Sequence, residues 1–155
     1  MADGFDPDQG DVAGGATLRF RDDPAHEEPA VTLDAFLADQ TNATAVRLEP
    51  GDDARALIPS LGRIALVEVS FPSFRDGRGY SAARILREAG YAGELRAAGD
   101  VLVDQMPLMR RCGFDSFAPE AALDPAALDR ALNRYDHVYQ KAADAAVPVW
   151  KLRHG

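Results

Sequence analysis

The sequence predicts an α/β fold: repeated βα units around a mainly parallel sheet of about five strands, arranged as an open doubly wound sheet or a partial barrel. Three observations predict it. Apolar runs of strand length alternate with amphipathic stretches of helical period. Successive strands lie about 20–30 residues apart, as βα units require. Two helical stretches in a row close on a glycine–aromatic pair, Gly90-Tyr91 and Gly113-Phe114, where the glycine takes the left-handed conformation and the aromatic packs back on the last turn. About five strands are too few for a closed eight-stranded barrel. A partial barrel would leave an apolar flank that a homodimer could cover.

The elements follow in order. Residues 1–16 are rich in Gly and Asp without periodicity and read as a mobile acidic tail. Residues 17–155 read as a single domain. Thr17 to Arg21 reads as a short strand. Thr32 caps a short helix to Asp39, with Leu33, Phe36 and Leu37 on one face. Thr44 to Glu49 is a strand ending at Pro50-Gly51. Asp52 or Asp53 caps a helix to about Leu61, which Pro59 weakens and Gly62 stops. Ile64 to Ser70 is a buried strand in which Glu68 is an anomaly, since an acid there is costly unless paired or at an edge. Helices follow over 81–89, with Ser81 as cap, and over 101–112. Strands follow over 93–98 and 114–118. Asp124 and Pro125 start a last helix with Leu128, Leu132, Tyr135, Val138 and Ala142 as its stripe. Val147 to Leu152 reads as an edge strand, because Pro148 keeps it from the sheet centre.

Composition excludes several function classes. The chain has 155 residues, 46% of them hydrophobic and 27% charged, with a net charge of −8, as a soluble domain with a sizeable core would have. The acidic balance argues against nucleic acid and against an anionic membrane surface. No apolar run approaches the ~20 residues of a membrane-spanning helix. The N-terminus lacks the regions of a secretory signal. A single cysteine, Cys112, fits a reducing compartment, so the cytoplasm is expected. Cys112 reads as a packed thiol. His26, His137 and His154 are scattered, and no metal motif or P-loop is present. The sequence names no cofactor.

The charge is uneven. From Phe71 to Asp115 seven arginines face six acids, so this span carries about +1 within an acidic chain. At its start stands FPSFRDGRGYS, a strand-to-helix loop of the kind where α/β proteins place chemistry. A coming helix start together with Arg75 and Arg78 favours a small anion there. Gly77, Arg78, Gly79, Tyr80 and Ser81 are the candidate ligand-binding residues, with Arg96 and Gln105 approaching the same crevice. Gly77 to Ala82 has the spacing GxGxxA, with Asp100 at the distance of a ribose-binding acid, but five residues intervene after the strand where a dinucleotide site has none. Asp76, Asp100 and Asp104 are the candidate acids or bases, a role that needs burial to raise their pKa. Otherwise each is one half of an ion pair that orients a loop. Ser81 lacks a nearby histidine to make it a nucleophile.

Residues 71–117 carry DGRGYS, GELRAAGD, the pair Asp104-Gln105 and RCGFD in that order. In this the chain resembles an uncharacterised bacterial family described as oxidoreductases of sulfite reduction, whose genes neighbour those of assimilatory sulfite reductase. The resemblance implies a role in sulfur assimilation and a sulfite reductase subunit as partner, and supplies no catalytic residues. Pro107 departs from the bulkier apolar residues usual there and would irregularise its helix. The expectation is an accessory protein with an anion-binding loop at 75–81. The alternative is a small α/β enzyme acting on an anionic metabolite, with Asp76, Asp100 or Asp104 as acid or base.

Overall fold

The computed structural model describes residues 17–26, 28–39, 42–124, 126, 127, 130 and 139–141. The described elements are β1 (Thr17–Arg19), β2 (Val31–Thr32), α1 (Leu33–Asp39), β3 (Ala45–Leu48), a 3-10 helix (Ala54–Arg63), β4 (Leu66–Phe71), α2 (Arg78–Glu88), β5 (Glu94–Gly99), a short 3-10 turn (Val103–Gln105), α3 (Met106–Cys112), β6 (Ser116–Pro119) and β7 (Tyr139–Lys141). The strands form one sheet in the order β2-β3-β4-β5-β6-β1-β7. Strands β2 to β6 are parallel, and β1 runs antiparallel between β6 and β7. The mainly parallel α/β architecture is as the sequence predicts. The strand order of β2 to β6 never reverses. Right-handed crossovers that all step the same way put their helices on one face. The sheet stays open, with β2 and β7 as its outer described strands.

Strand alternation divides the two faces. Val46, Val67 and Leu95 align across the strands on one face, as do Leu48, Val69, Ala97, Phe117 and Leu18. These join Phe36 of α1, Leu57 of the 3-10 helix, Ala83 and Leu86 of α2 and Met109 of α3 in one core. The other face carries a polar row: Arg47, Glu68, Arg96, Ser116 and Arg19 stand side by side in register. The Glu68 anomaly resolves here, since its carboxylate accepts from Arg47 Nε at 3.2 Å. Glu94 accepts from Arg19 Nη2 at 2.9 Å and from Arg96 Nη2 at 3.1 Å.

The connection from β1 to β2 runs under the amino edge of the sheet, because β1 lies beside β6 and β2 beside β3. Phe20 N–H donates to Asp115 O at 2.8 Å, just before β6. His26 Nε2 lies 3.3 Å from Thr44 Oγ1, just before β3. Arg21 Nη1 and Arg87 Nη2 both bind the Asp115 carboxylate, at 2.7 and 3.1 Å. The amino edge is thereby strapped shut, and the carboxyl edge is left for a site.

Several elements differ from the sequence reading. The 17–21 segment is antiparallel to its sheet neighbours, and the fifth parallel strand is β2, whose two residues are too few to show a pattern. Thr32 does cap α1, accepting from Ala35 N–H at 3.1 Å. The stretch from Ala54 is a 3-10 helix capped by Asp53, with Pro59 inside it, and it runs through Gly62 to Arg63. Helix α2 starts at Arg78, so Ser81 lies in its first turn and is not its cap. The 101–112 helix is split, because Pro107 sits in the first turn of α3 and the residues before it make a 3-10 turn. Gly90 and Gly113 are left-handed, at φ of 97° and 118°. Tyr91 N–H reaches Leu86 O and Phe114 N–H reaches Met109 O, completing both Schellman closures. Asp124 accepts from Ala126 N–H at 3.2 Å as a cap does. Tyr139–Lys141 is strand rather than helix, paired to β1. The 1–16 tail, most of the last predicted helix, His137, His154 and the 147–152 strand lie outside the described residues. No helix among the described residues is long and apolar enough to cross a membrane.

Candidate functional site at the carboxyl edge

A cleft of about 140 Å³ opens at the carboxyl ends of β3 and β4, beneath the start of α2. One wall is the turn after β3, Glu49-Pro50-Gly51-Asp52. The floor is Leu48, Val69 and Ser70, and the other wall is Arg78, Gly79 and Ala82. Gly79 is what lets the helix come this close. A Cβ there would stand 2.5 Å from Phe71 Cζ and 2.9 Å from Val69 Cγ1. Gly51 has φ of 94°, and a Cβ on it would lie 3.7 Å from Arg78 Nη1, so the guanidinium rests against the turn. The turn is fixed by Asp52, which donates its N–H to Glu49 O at 3.0 Å and accepts from Glu49 N–H at 2.8 Å.

Arg78 is held by Asp76. The carboxylate accepts from Arg78 N–H at 3.0 Å, from Nε at 3.0 Å and from Nη2 at 2.7 Å. Those bonds hold the Asp76 carboxyl at about 2, well below its ordinary 3.8. The pair thus stabilises the fold fully above the ordinary value and is lost as the pH falls through about 2. Carbon-detected NMR of the Asp76 carboxyl should find its midpoint near 2, rising toward the ordinary aspartate range in Arg78→Ala, which keeps only the backbone N–H bond.

The other candidates fall into three groups. Arg78 and Gly79 line the cleft. Asp76, Asp100 and Gln105 fix the loop leading to it. Asp100 accepts from Phe74 N–H at 2.9 Å, and Gln105 Nε2 donates to Phe74 O at 2.8 Å. Asp100 is therefore engaged with backbone and does not stand free like a ribose-binding acid. Arg75, Gly77 and Ser81 are exposed outside the cleft lining, as is Asp104. Tyr80 packs edge-on to Phe71 at 5.7 Å, its hydroxyl pKa raised by burial and by Cys112. Arg96 does not approach this edge. It sits mid-strand on the face away from the core, bound to Glu94. Sequence reasoning missed Glu49, Gly51, Asp52 and Ser70. The signal available was the Pro-Gly-Asp turn, which reads as a strand end and does not reveal its neighbour. Among the described residues no group of three His, Cys, Asp or Glu side chains is placed to hold a metal.

The arrangement is a small polar cleft with a cation on one wall and carboxylates on the other. The first turn of α2, where N–H groups lack helical partners, adds positive potential on the Arg78 side. A family model whose description is "Bacterial protein of unknown function (DUF934)" matches residues 45–150, a span that contains the whole cleft. No curated protein and no solved structure matches the chain.

Proposed function

We propose that this chain, which belongs to that bacterial family of unknown function, binds a small oxyanion at the carboxyl edge of its sheet as a cytoplasmic accessory protein of assimilatory sulfite reduction. The observation that carries the anion reading is Arg78: a guanidinium at a helix start, on the wall of a cleft at the end of a parallel sheet. Open α/β sheets bind ligands at that edge, and helix starts favour anions. Arg78 Nη1 points to the turn side, while Nε and Nη2 remain on Asp76. The sulfur reading draws on the sequence resemblance over residues 71–117, and so does the proposed contact with a sulfite reductase subunit. The enzyme alternative would need Asp76, Asp100 or Asp104 as acid or base. The pairing of Asp76 with Arg78 and of Asp100 with Phe74 favours binding over proton transfer.

Calorimetric titration of the full chain with sulfite, sulfate and phosphate tests the cleft. Binding of at least one is expected, weakened about tenfold or more in Arg78→Ala, as loss of one charged hydrogen bond implies. Failure of all three to bind overturns the anion reading. Growth of a deletion strain tests the sulfur role separately. Rescue by sulfide and cysteine, but not by sulfate or sulfite, is expected. Normal growth on every source overturns the sulfur role.

A further inference from the structure

The cleft at the carboxyl edge joins three kinds of lining. Arg78 is its cationic wall, Leu48 and Val69 give it an apolar floor, and Glu49 and Asp52 belong to the turn opposite. The two acids of that turn differ. Asp52 commits its carboxylate to Glu49 N–H at 2.8 Å, which closes the turn. The Glu49 side chain is exposed and has neither an ion pair nor a hydrogen bond among the described residues. The fold has no use for it, yet it lines the cleft.

A bare oxyanion meets this cleft badly. Arg78 already shares its charge with Asp76 at 2.7 Å. With Glu49 and Asp52 on the facing turn, three carboxylates stand around one guanidinium. They repel a second anion, and a ligand with a positive end turns that repulsion into attraction. The two walls are close enough for one small molecule. A Cβ on Gly51 would lie 3.7 Å from Arg78 Nη1, so the guanidinium reaches the turn that carries Glu49. Between them Leu48 and Val69 are 1% and 2% exposed, a surface that packs against hydrocarbon and offers sulfate or phosphate nothing. The volume, about 140 Å³, lies well below the ~300–1,000 Å³ of sites for drug-sized ligands.

We infer that the cleft takes a small zwitterion: an oxyanion group on Arg78, a short aliphatic spacer over Leu48 and Val69, and an ammonium on Glu49. This rests on the reading that Arg78 binds an oxyanion, and adds the class of ligand and the residue that selects it. Calorimetric titration of the full chain at low salt compares taurine with ethanesulfonate, and β-alanine with propionate. The members of each pair differ by the ammonium alone. In at least one pair the zwitterion should bind about threefold tighter or more, as an ion pair open to solvent gives. The pair that shows the preference tells sulfonate from carboxylate. Glu49→Gln should abolish the preference and leave ethanesulfonate and propionate bound no more weakly. That variant keeps the turn, which the Glu49 backbone holds. Arg78→Ala should weaken every ligand. Equal affinity within both pairs overturns the inference, and so does a preference that survives Glu49→Gln. In either case, binding of sulfite, sulfate or phosphate that weakens in Arg78→Ala leaves the anion reading standing. If no ligand of either kind binds, both fall.

Discussion

Asp115→Ala is expected to destabilise the fold by about 3 kcal/mol, the lower end of what removing one partner from a buried ionic cluster costs. Asp115 is 7% exposed. Its carboxylate takes Leu95 N–H at 2.9 Å, Arg21 Nη1 at 2.7 Å and Arg87 Nη2 at 3.1 Å. Truncation orphans a buried amide and strips a carboxylate from two guanidinium groups. The lower end applies because both arginines keep other partners. Arg21 retains Asp23, and Arg87 still donates to the carbonyls of Gly113, Tyr91 and Gly93 at 2.8–3.0 Å. Urea unfolding with an unchanged slope is the measurement. Asp115→Asn should cost less, because its amide oxygen can still accept from Leu95. Anion affinity should not change, since this cluster braces the amino edge and the cleft lies at the other end of the strands. A loss below about 1 kcal/mol would mean that the strap, and not the carboxylate, closes that edge.

The division between the two edges also shows what the sequence could reveal. Local signals were legible. The alternation in β4 and β5, the caps at Thr32, Asp53 and Asp124 and the Gly-aromatic closures are all written within a few residues. So was one wall of the cleft, because the start of α2 follows its own strand. The opposite wall was not legible, since it needs the pairing of β3 with β4, a contact between distant segments. The position of Arg96 was readable and was misjudged. It shares parity with Glu94 and lies opposite to Leu95 and Ala97, which places it on the polar face. The 3-10 form of the Ala54 helix follows from Pro59, which removes a donor from any α-helical ladder. The antiparallel course of β1 has no local signature, because a three-residue strand takes its direction from its neighbours.

Gly99→Ala is expected to cost about 3 kcal/mol, with a left-handed strain of ~1–2 and an overpacking cost of similar size. Gly99 has φ of 106°, and a Cβ there would stand 2.5 Å from Phe71 O. That oxygen is backbone of the central strand and already accepts Asp100 N–H at 2.7 Å, so it cannot give way cheaply. Gly99 O in turn accepts from Glu120 N–H at 2.9 Å, which ties β5 to the chain after β6. Gly79→Ala makes the instructive contrast. Its Cβ also comes within 3 Å of other atoms, but these are side-chain atoms of Phe71 and Val69 rather than backbone, and the helix gains up to ~1 kcal/mol from losing a glycine. It should therefore cost less stability than Gly99→Ala and narrow the cleft more. Gly77→Ala, with nothing within 4 Å of the added atom, should be close to neutral. Thermal unfolding of the three variants ranks them. Gly99→Ala should also loosen the loop after β4, because moving Asp100 frees Phe74 N–H. If Gly99→Ala proves as mild as Gly77→Ala, the close approach of β5 to Phe71 is not what sets the position of that loop, and the Gln105 bond to Phe74 O would be what holds it.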